Sequence, residues 1–348
     1  MKKKMLLGFI SVLLLIIAFA GWELLGPGTA FRANKYSLYI RTGMSFSQVI
    51  DLMEKDTVLK SPLIFRWFAS KTDYPQNIKA GKFDLKSGSN LLSILHILRN
   101  GRQSPVNLVI TKLRTKEDLA ALTGRKLECD SASFMHFLDN KDSLEEYGLT
   151  PDVAMTAVLP NTYSLFWNTP ASRIFKKIYA EYKIYWTEGR KELAKDRGLN
   201  PTTAYILASI VEEETGKQDD KGKIASVYIN RLAKGMRLSA DPTIKFALLN
   251  FELKRVYEKY LSVESPYNTY KYAGLPPGPI CTPAPATLEA VLNSPKTNYL
   301  YFVAKPDFSG YSNFSETFGE HLKYAREYQK SLDAQMKIGQ EEKEKAGR

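Results

Sequence analysis

Apolar residues run without a charge from Met5 to Trp22, directly after Lys2, Lys3 and Lys4. That is about the shortest stretch that spans a bilayer as a helix. Lysines ahead of it favour an N-inside orientation, with the body outside the cytoplasm. Ala18-Phe19-Ala20 has the small-x-small form of a signal cleavage site. The apolar run continues through Trp22, Leu24 and Leu25, which favours an uncleaved anchor. Either reading exports the rest of the chain. Gly26-Pro27-Gly28 then breaks the helix and opens a linker.

Beyond the linker the hydrophobic period alternates. Tyr36 to Ile40 reads as a strand, and Ser45 caps a helix carrying Phe46, Val49, Ile50, Leu52 and Met53. A second helix holds Ile64, Phe65, Trp67 and Phe68, and a turn and strand follow over Lys79–Leu85. Asn90 opens a helix that ends at Gly101. This alternation is too small in scale for a nucleotide-binding sheet. Val106 to Ile110 reads as another strand and residues 115–150 as helical. Pro160-Asn161-Thr162-Tyr163 reads as a loop, followed by a helix from Ala171 to about Lys191. Asn200-Pro201 supplies a cap and an N1 proline to the next helix, and Lys223–Lys234 forms another. Residues 324–348 are mostly charged and read as a fraying, solvated tail.

The helix after Asn200 carries an anomaly. With Leu207 at zero and about 100° per residue, Ala204, Ile210, Val211 and Glu214 all fall within about 60° of one direction. Glu213 sits at the flank and Glu212 on the far side. One acid of three therefore shares the apolar stripe. Burial would disfavour its charged form and raise its pKa, as would its place near the negative end of the helix dipole. A general acid working near neutral pH needs that state.

A chain of 348 residues has room for two domains. Its net charge of +12 is spread along the chain, with no dense block beyond the extreme N-terminus. No helix-turn-helix, zinc-finger or RNA-binding signature accompanies it, and an exported body argues against nucleic acid. Cys129 and Cys281 are too few for a disulfide framework, though they could pair. Three histidines without Cys/His spacing give no metal site, and no cofactor is expected. His96 and His136 lie in apolar runs, which leaves His321 as the histidine of interest. No Gly-x-Ser-x-Gly elbow or P-loop appears.

Between Leu238 and Pro285 lie three unusual stretches: Ser239-Ala240-Asp241-Pro242-Thr243, Tyr267-Asn268-Thr269-Tyr270 and Gly274-Leu275-Pro276-Pro277-Gly278-Pro279-Ile280. The last is stiffened by proline and turned by glycine. Two rings and an amide within four residues can stack on a sugar and bond its hydroxyl and acetamido groups. Asp241 can orient substrate or stabilise charge, or simply cap a turn before Pro242. Glu212 suits a bond to backbone or a neighbouring arginine better than one to substrate.

These stretches, with Lys79-Ala80-Gly81, Leu159-Pro160-Asn161-Thr162-Tyr163, Ala208-Ser209-Ile210-Val211-Glu212-Glu213-Glu214-Thr215, Ala225-Ser226-Val227-Tyr228-Ile229-Asn230-Arg231-Leu232, Gly235-Met236-Arg237-Leu238 and Tyr299-Leu300-Tyr301-Phe302-Val303, resemble the MltG/YceG-type endolytic murein transglycosylase family in residue, order and spacing over roughly 35–325. The resemblance implies an α+β protein. It has a cytoplasmic N-terminus (1–4), a transmembrane anchor (5–25), a linker (26–34), a LysM-like module (35–104), a larger mixed α/β catalytic domain of YceG type (105–325) and the charged tail (326–348). It implies a single-pass inner-membrane enzyme with a periplasmic body, acting on peptidoglycan strands beside peptidoglycan synthases. Its catalytic glutamate falls on Glu214, the residue the helical stripe also selects. Candidate substrate-binding residues are Glu212, Asn230, Arg231, Asp241, Thr243, Tyr267, Asn268, Thr269 and Tyr270. Two positions depart from the family pattern: Ser312 stands where a histidine is usual ahead of Phe314-Ser315, and Leu322 follows His321 where asparagine is common. The alternatives are a water-using muramidase with Asp241 or Glu212 as second carboxylate, and a non-catalytic wall-binding protein.

Overall fold

The computed structural model describes residues 2–346 and contains a mixed α+β fold in two compact units. Of the described residues, unit one comprises those up to 108 with 122–131 and 164–171, and unit two the others. Met1, of the expected cytoplasmic segment, and residues 347–348, of the expected tail, lie outside the described residues.

In unit one, helix α1 (Lys2–Leu25) carries the apolar run, and its stretch from Lys4 to Leu25 is long and apolar enough to cross a membrane. Strand β1 (Lys35–Ile40) pairs antiparallel with β2 (Gly81–Lys86), Leu38 opposite Phe83. Helix α2 (Phe46–Lys55) starts in a capping box between Ser45 and Gln48. Helix α3 (Pro62–Ser70) buries Phe65 and Ala69, and α4 (Leu91–Arg99) is capped by Asn90. Leu38, Ile50, Met53, Phe65, Phe83, Leu95 and Leu98 close one core.

Strands β3 (Val106–Ile110) and β4 (Asn161–Leu165) form a two-stranded sheet. Of residues 160–163, expected as a loop, all but Pro160 thus belong to a strand. The alternation that decides it is completed by Leu165, which is buried with Tyr163 on one face. The expected helical region 115–150 is three helices: α5 (Lys116–Lys126), α6 (Ser131–Asp139) and α7 (Lys141–Glu145). The helix expected to reach about Lys191 instead ends early. Helix α8 (Ala171–Tyr185) stops at buried Trp186, and Thr187 caps a fresh helix, α9 (Glu188–Lys195).

Helix α10 (Pro201–Glu214) is the centre of unit two. Asn200 and Thr203 form its capping box, with Pro201 at the first position. Every residue from Ala204 to Val211 is buried, so the middle of the helix has no wet face. Around it lie α11 (Gln218–Ala233), α12 (Asp241–Ala247) and α13 (Pro285–Leu292). Strands β5 (Tyr301–Ala304) and β6 (Ser312–Ser315) pair antiparallel. Helix α14 (Phe318–Ala346) packs on them and runs through the segment expected to fray. Its lysines, glutamates, glutamines and alanines are good helix formers, and propensity prevails there over charge.

Candidate active site

The three acids that end α10 splay into three different environments. Glu212 accepts from Lys221 Nζ at 2.9 Å and from the Thr287 hydroxyl. Burial alone would raise its pKa, but the Thr287 bond and the Lys221 charge and bond hold it below the usual carboxylate range. Glu213 pairs with Lys112 Nζ at 2.5 Å and Arg114 at 3.5 Å. Glu214 makes no ion pair among the described residues. Its partner is neutral: Tyr228 Oη, on α11, donates to Glu214 Oε1 at 2.6 Å.

The backbone or arginine partner expected for Glu212 is replaced by Lys221 and Thr287, because α11 and α13 pack on that side of α10 and supply them. Burial does not single out Glu214, since all three acids are partly buried. What singles it out is the lack of a cation in contact. Only part of the residue reaches solvent, and protein atoms crowd the carboxyl. Burial is the chief cause that pushes its pKa up to about 7. The Tyr228 hydrogen bond and the more distant charges of Arg231 and Lys245 pull it down, and Asp241 pushes it up. The group is an acid that keeps its proton near neutrality.

Local geometry holds this pair in place. Only Thr215, Gly216 and Lys217 join α10 to α11, and Lys217 N donates to Thr215 Oγ1 at 3.0 Å. The two helices pack against each other, and Tyr228 is fully enclosed with Ile224, Ala225 and Val227. Its phenol is held well above its ordinary pKa by burial and by the Glu214 carboxylate, so it stays a donor. On α12, Asp241 is the first helical residue and is exposed, accepting from Tyr270 Oη at 2.5 Å.

The proline-glycine loop is sewn to α10. Ile280 N donates to Ser209 Oγ at 3.0 Å, and Cys281 Sγ lies 3.3 Å from Ser209 O. A Cβ on Gly278 would fall 2.2 Å from Asp152 O and 2.8 Å from Tyr267 Oη, so no larger residue fits without backbone movement. Beside this loop is a cavity of about 440 Å³ walled by Phe246, Phe251, Tyr267 and Pro279, with Arg114 at its edge. That size suits a sugar or peptide segment.

With this arrangement in view, the sequence profile of the YceG-like family matches residues 38–327. The chain belongs to the YceG-like family. A Bacillus subtilis (strain 168) protein named endolytic murein transglycosylase is 30% identical over 326 residues, covering 88% of this chain and 89% of the relative. A Streptococcus pneumoniae (strain R6) protein of the same name is 26% identical over 312 residues, covering 78% of this chain, which spans 55% of that longer relative. A crystal structure of a yceG-like protein from Listeria monocytogenes matches with a TM-score of 0.54 and 28% identity, covering 83% of this chain and 98% of that one.

Within this YceG-like fold the sequence-selected residues divide into two sets. Glu214, Asp241 and Tyr270 come together, linked by the Asp241 charge felt at Glu214 and by the Tyr270–Asp241 bond. The others are engaged by the protein itself. Asn230 Nδ2 donates to Thr297 O and Tyr299 O, and Arg231 donates to Leu300 O and Leu238 O. Thr243 and Thr269 share a hydroxyl pair at 2.8 Å, and Thr269 Oγ1 also accepts from Ala240 N. Asn268 is fully buried and donates to Leu261 O and Val263 O. Tyr267 packs on Phe246 with ring centroids 4.6 Å apart and borders the cavity. His321 stacks on Tyr301 at 5.3 Å, and burial, then the Arg231 charge, lowers its pKa. Cys129 and Cys281 are both free thiols.

Tyr228 was not among the residues selected from the sequence. The available signal was its hydroxyl: a buried tyrosine needs a partner, and a three-residue link puts α11 back alongside α10. Lys112, Arg114, Lys221 and Thr287 were also missed, and no local pattern marks them.

Proposed function

We propose that this chain is an endolytic murein transglycosylase in which Glu214 serves first as acid and then as base. The observation that carries this reading is a carboxyl at a helix end with a neutral donor, no contacting cation and a pKa of about 7. The names of the relatives supply the substrate class. Protonated Glu214 donates to the oxygen linking N-acetylmuramic acid to N-acetylglucosamine. The C1–O bond breaks, the 4-hydroxyl of N-acetylglucosamine leaves, and positive charge develops at the muramic anomeric carbon. Ionised Glu214, steadied by the Tyr228 hydroxyl, then takes the proton of the 6-hydroxyl on that muramic residue. O6 closes on C1 to form a 1,6-anhydro end. No water enters, and Glu214 regains its proton.

Helix α1 is the inner-membrane anchor in this reading, oriented N-inside, and the body is periplasmic. The small unit is LysM-like and grips glycan. The enzyme cuts nascent strands close to the synthases that make them and so ends their growth. A second reading keeps Asp241 as the partner carboxylate of a water-using muramidase, because its charge is felt at Glu214.

Product mass decides between the two. Sacculi digested in ¹⁸O water should yield ends one water lighter than reducing ends and free of label. Labelled reducing ends would replace the proposal with the muramidase, and absence of any scission would leave a wall-binding protein.

Tyr228→Phe gives a separate check. The lost hydrogen bond favoured ionised Glu214, so the acid should hold its proton to higher pH. The alkaline limb of kcat/KM should move up by about one pH unit, read from pH–rate profiles of both proteins. A lower rate with an unmoved limb would separate Tyr228 from the acid.

A further inference from the structure

Two large apolar residues on α3 face outward. Leu63 is 72% exposed and Trp67 is 62% exposed, one helical turn apart on the face opposite buried Phe65 and Ala69. Water is a poor neighbour for such a pair.

The start of α3 is tied to the end of the apolar helix. Ser61 Oγ donates to Glu23 Oε2 at 2.5 Å, Lys60 N donates to Gly28 O at 2.9 Å, and Thr29 bridges to Leu59. Glu23 is the acid that ends the uncharged stretch of α1, and Trp22 beside it is 70% exposed. Leu63 follows Ser61 by two residues, a reach of at most about 7 Å, and Trp67 is about 6 Å further along the helix, so both stay near the depth of Glu23 when α3 lies along the surface. A headgroup layer is about 5–7 Å deep on each side of the hydrocarbon. Tryptophan favours that layer, because its ring is apolar with one polar edge.

The flanks carry the matching charge. Lys71 Nζ sits 5.8 Å from the centre of the Trp67 ring, and both Lys60 and Lys71 are exposed. Arg66, between them, is taken up by Asp51 and Ser47. Exposed lysines beside an apolar pair suit anionic lipid headgroups.

We propose that the outer face of α3 lies on the membrane surface, with Leu63 and Trp67 in the headgroup layer and Lys60 and Lys71 on anionic lipid. α1 supplies the tether and α3 a second contact, so the small unit is held to the bilayer at two places. This rests on the anchor reading of α1 and is independent of the chemistry at Glu214.

The test uses the full chain in phosphatidylcholine/phosphatidylglycerol vesicles whose lipids carry bromine high on the acyl chains. Flotation first establishes that the chain inserts. Tryptophan emission is then compared between the wild type and Trp67→Phe. The Trp67 contribution should be quenched in brominated vesicles, lie to the blue of its value in detergent, and be quenched less in Leu63→Asp. A floating chain whose Trp67 emission is unaffected by bromine overturns the surface contact and leaves the anchor standing. A chain that fails to float overturns both, while strand scission by the detergent-solubilised protein would still support the Glu214 reading.

Discussion

Glu214→Gln should cut strand scission by about 10³-fold or more while making the chain more stable above neutral pH. The first effect follows because glutamine can neither give nor take the proton at the glycosidic oxygen. The second follows from linkage. The folded carboxyl keeps its proton up to about pH 7, whereas an unfolded glutamate loses it near ~4.3. Between those values the folded state binds more protons, so wild-type stability falls as pH rises through the window. Above it the ionised, enclosed carboxylate costs up to about 4 kcal/mol. Glutamine carries no such cost. The difference in thermal midpoint should be near zero around pH 4 and largest at pH 8. Full scission by the variant would remove Glu214 from the chemistry, and a difference independent of pH would remove the basis for its raised pKa.

Two residues away, Glu212→Ala should do the opposite. It strips the partner from Lys221, whose side chain is only 9% exposed, and leaves an enclosed ammonium with the Thr287 hydroxyl alone. Breaking such a pair costs about 3–5 kcal/mol, to be read as a lowered urea midpoint at pH 7. The pH sense is reversed as well. The folded pKa of Glu212 lies below its ordinary value, so its stabilisation is present above that value and fades as pH falls through the folded one. A scission rate that drops with no change in the urea midpoint would place Glu212 at the substrate instead.

Local rules predicted some elements well. The Ser45 and Asn90 caps, the Asn200-Pro201 start of α10 and the alternation in β1 are each written within a few residues, and each element forms there. The break at Trp186 was hidden because Thr187 caps only if the chain actually stops, which depends on packing. Strand β4 was hidden because its deciding residue, Leu165, follows the turn-like Pro160-Asn161. At the site, helical period picked Glu214, but the contrast it drew with Glu212 assumed a helix with one wet face. α10 has none between Ala204 and Val211. Which acid receives a cation is settled by Lys221, Lys112 and Arg114, and only the tertiary fold brings the last two to Glu213.

The three-residue join between α10 and α11 carries an evolutionary consequence. Elsewhere on a surface, an added residue costs little, because closure entropy grows slowly with loop length. At Thr215-Gly216-Lys217 an insertion would turn or slide one helix against the other and part the Tyr228 hydroxyl from the carboxyl. Lineages that keep this donor should therefore show gaps and insertions in many connections but a constant count in this one.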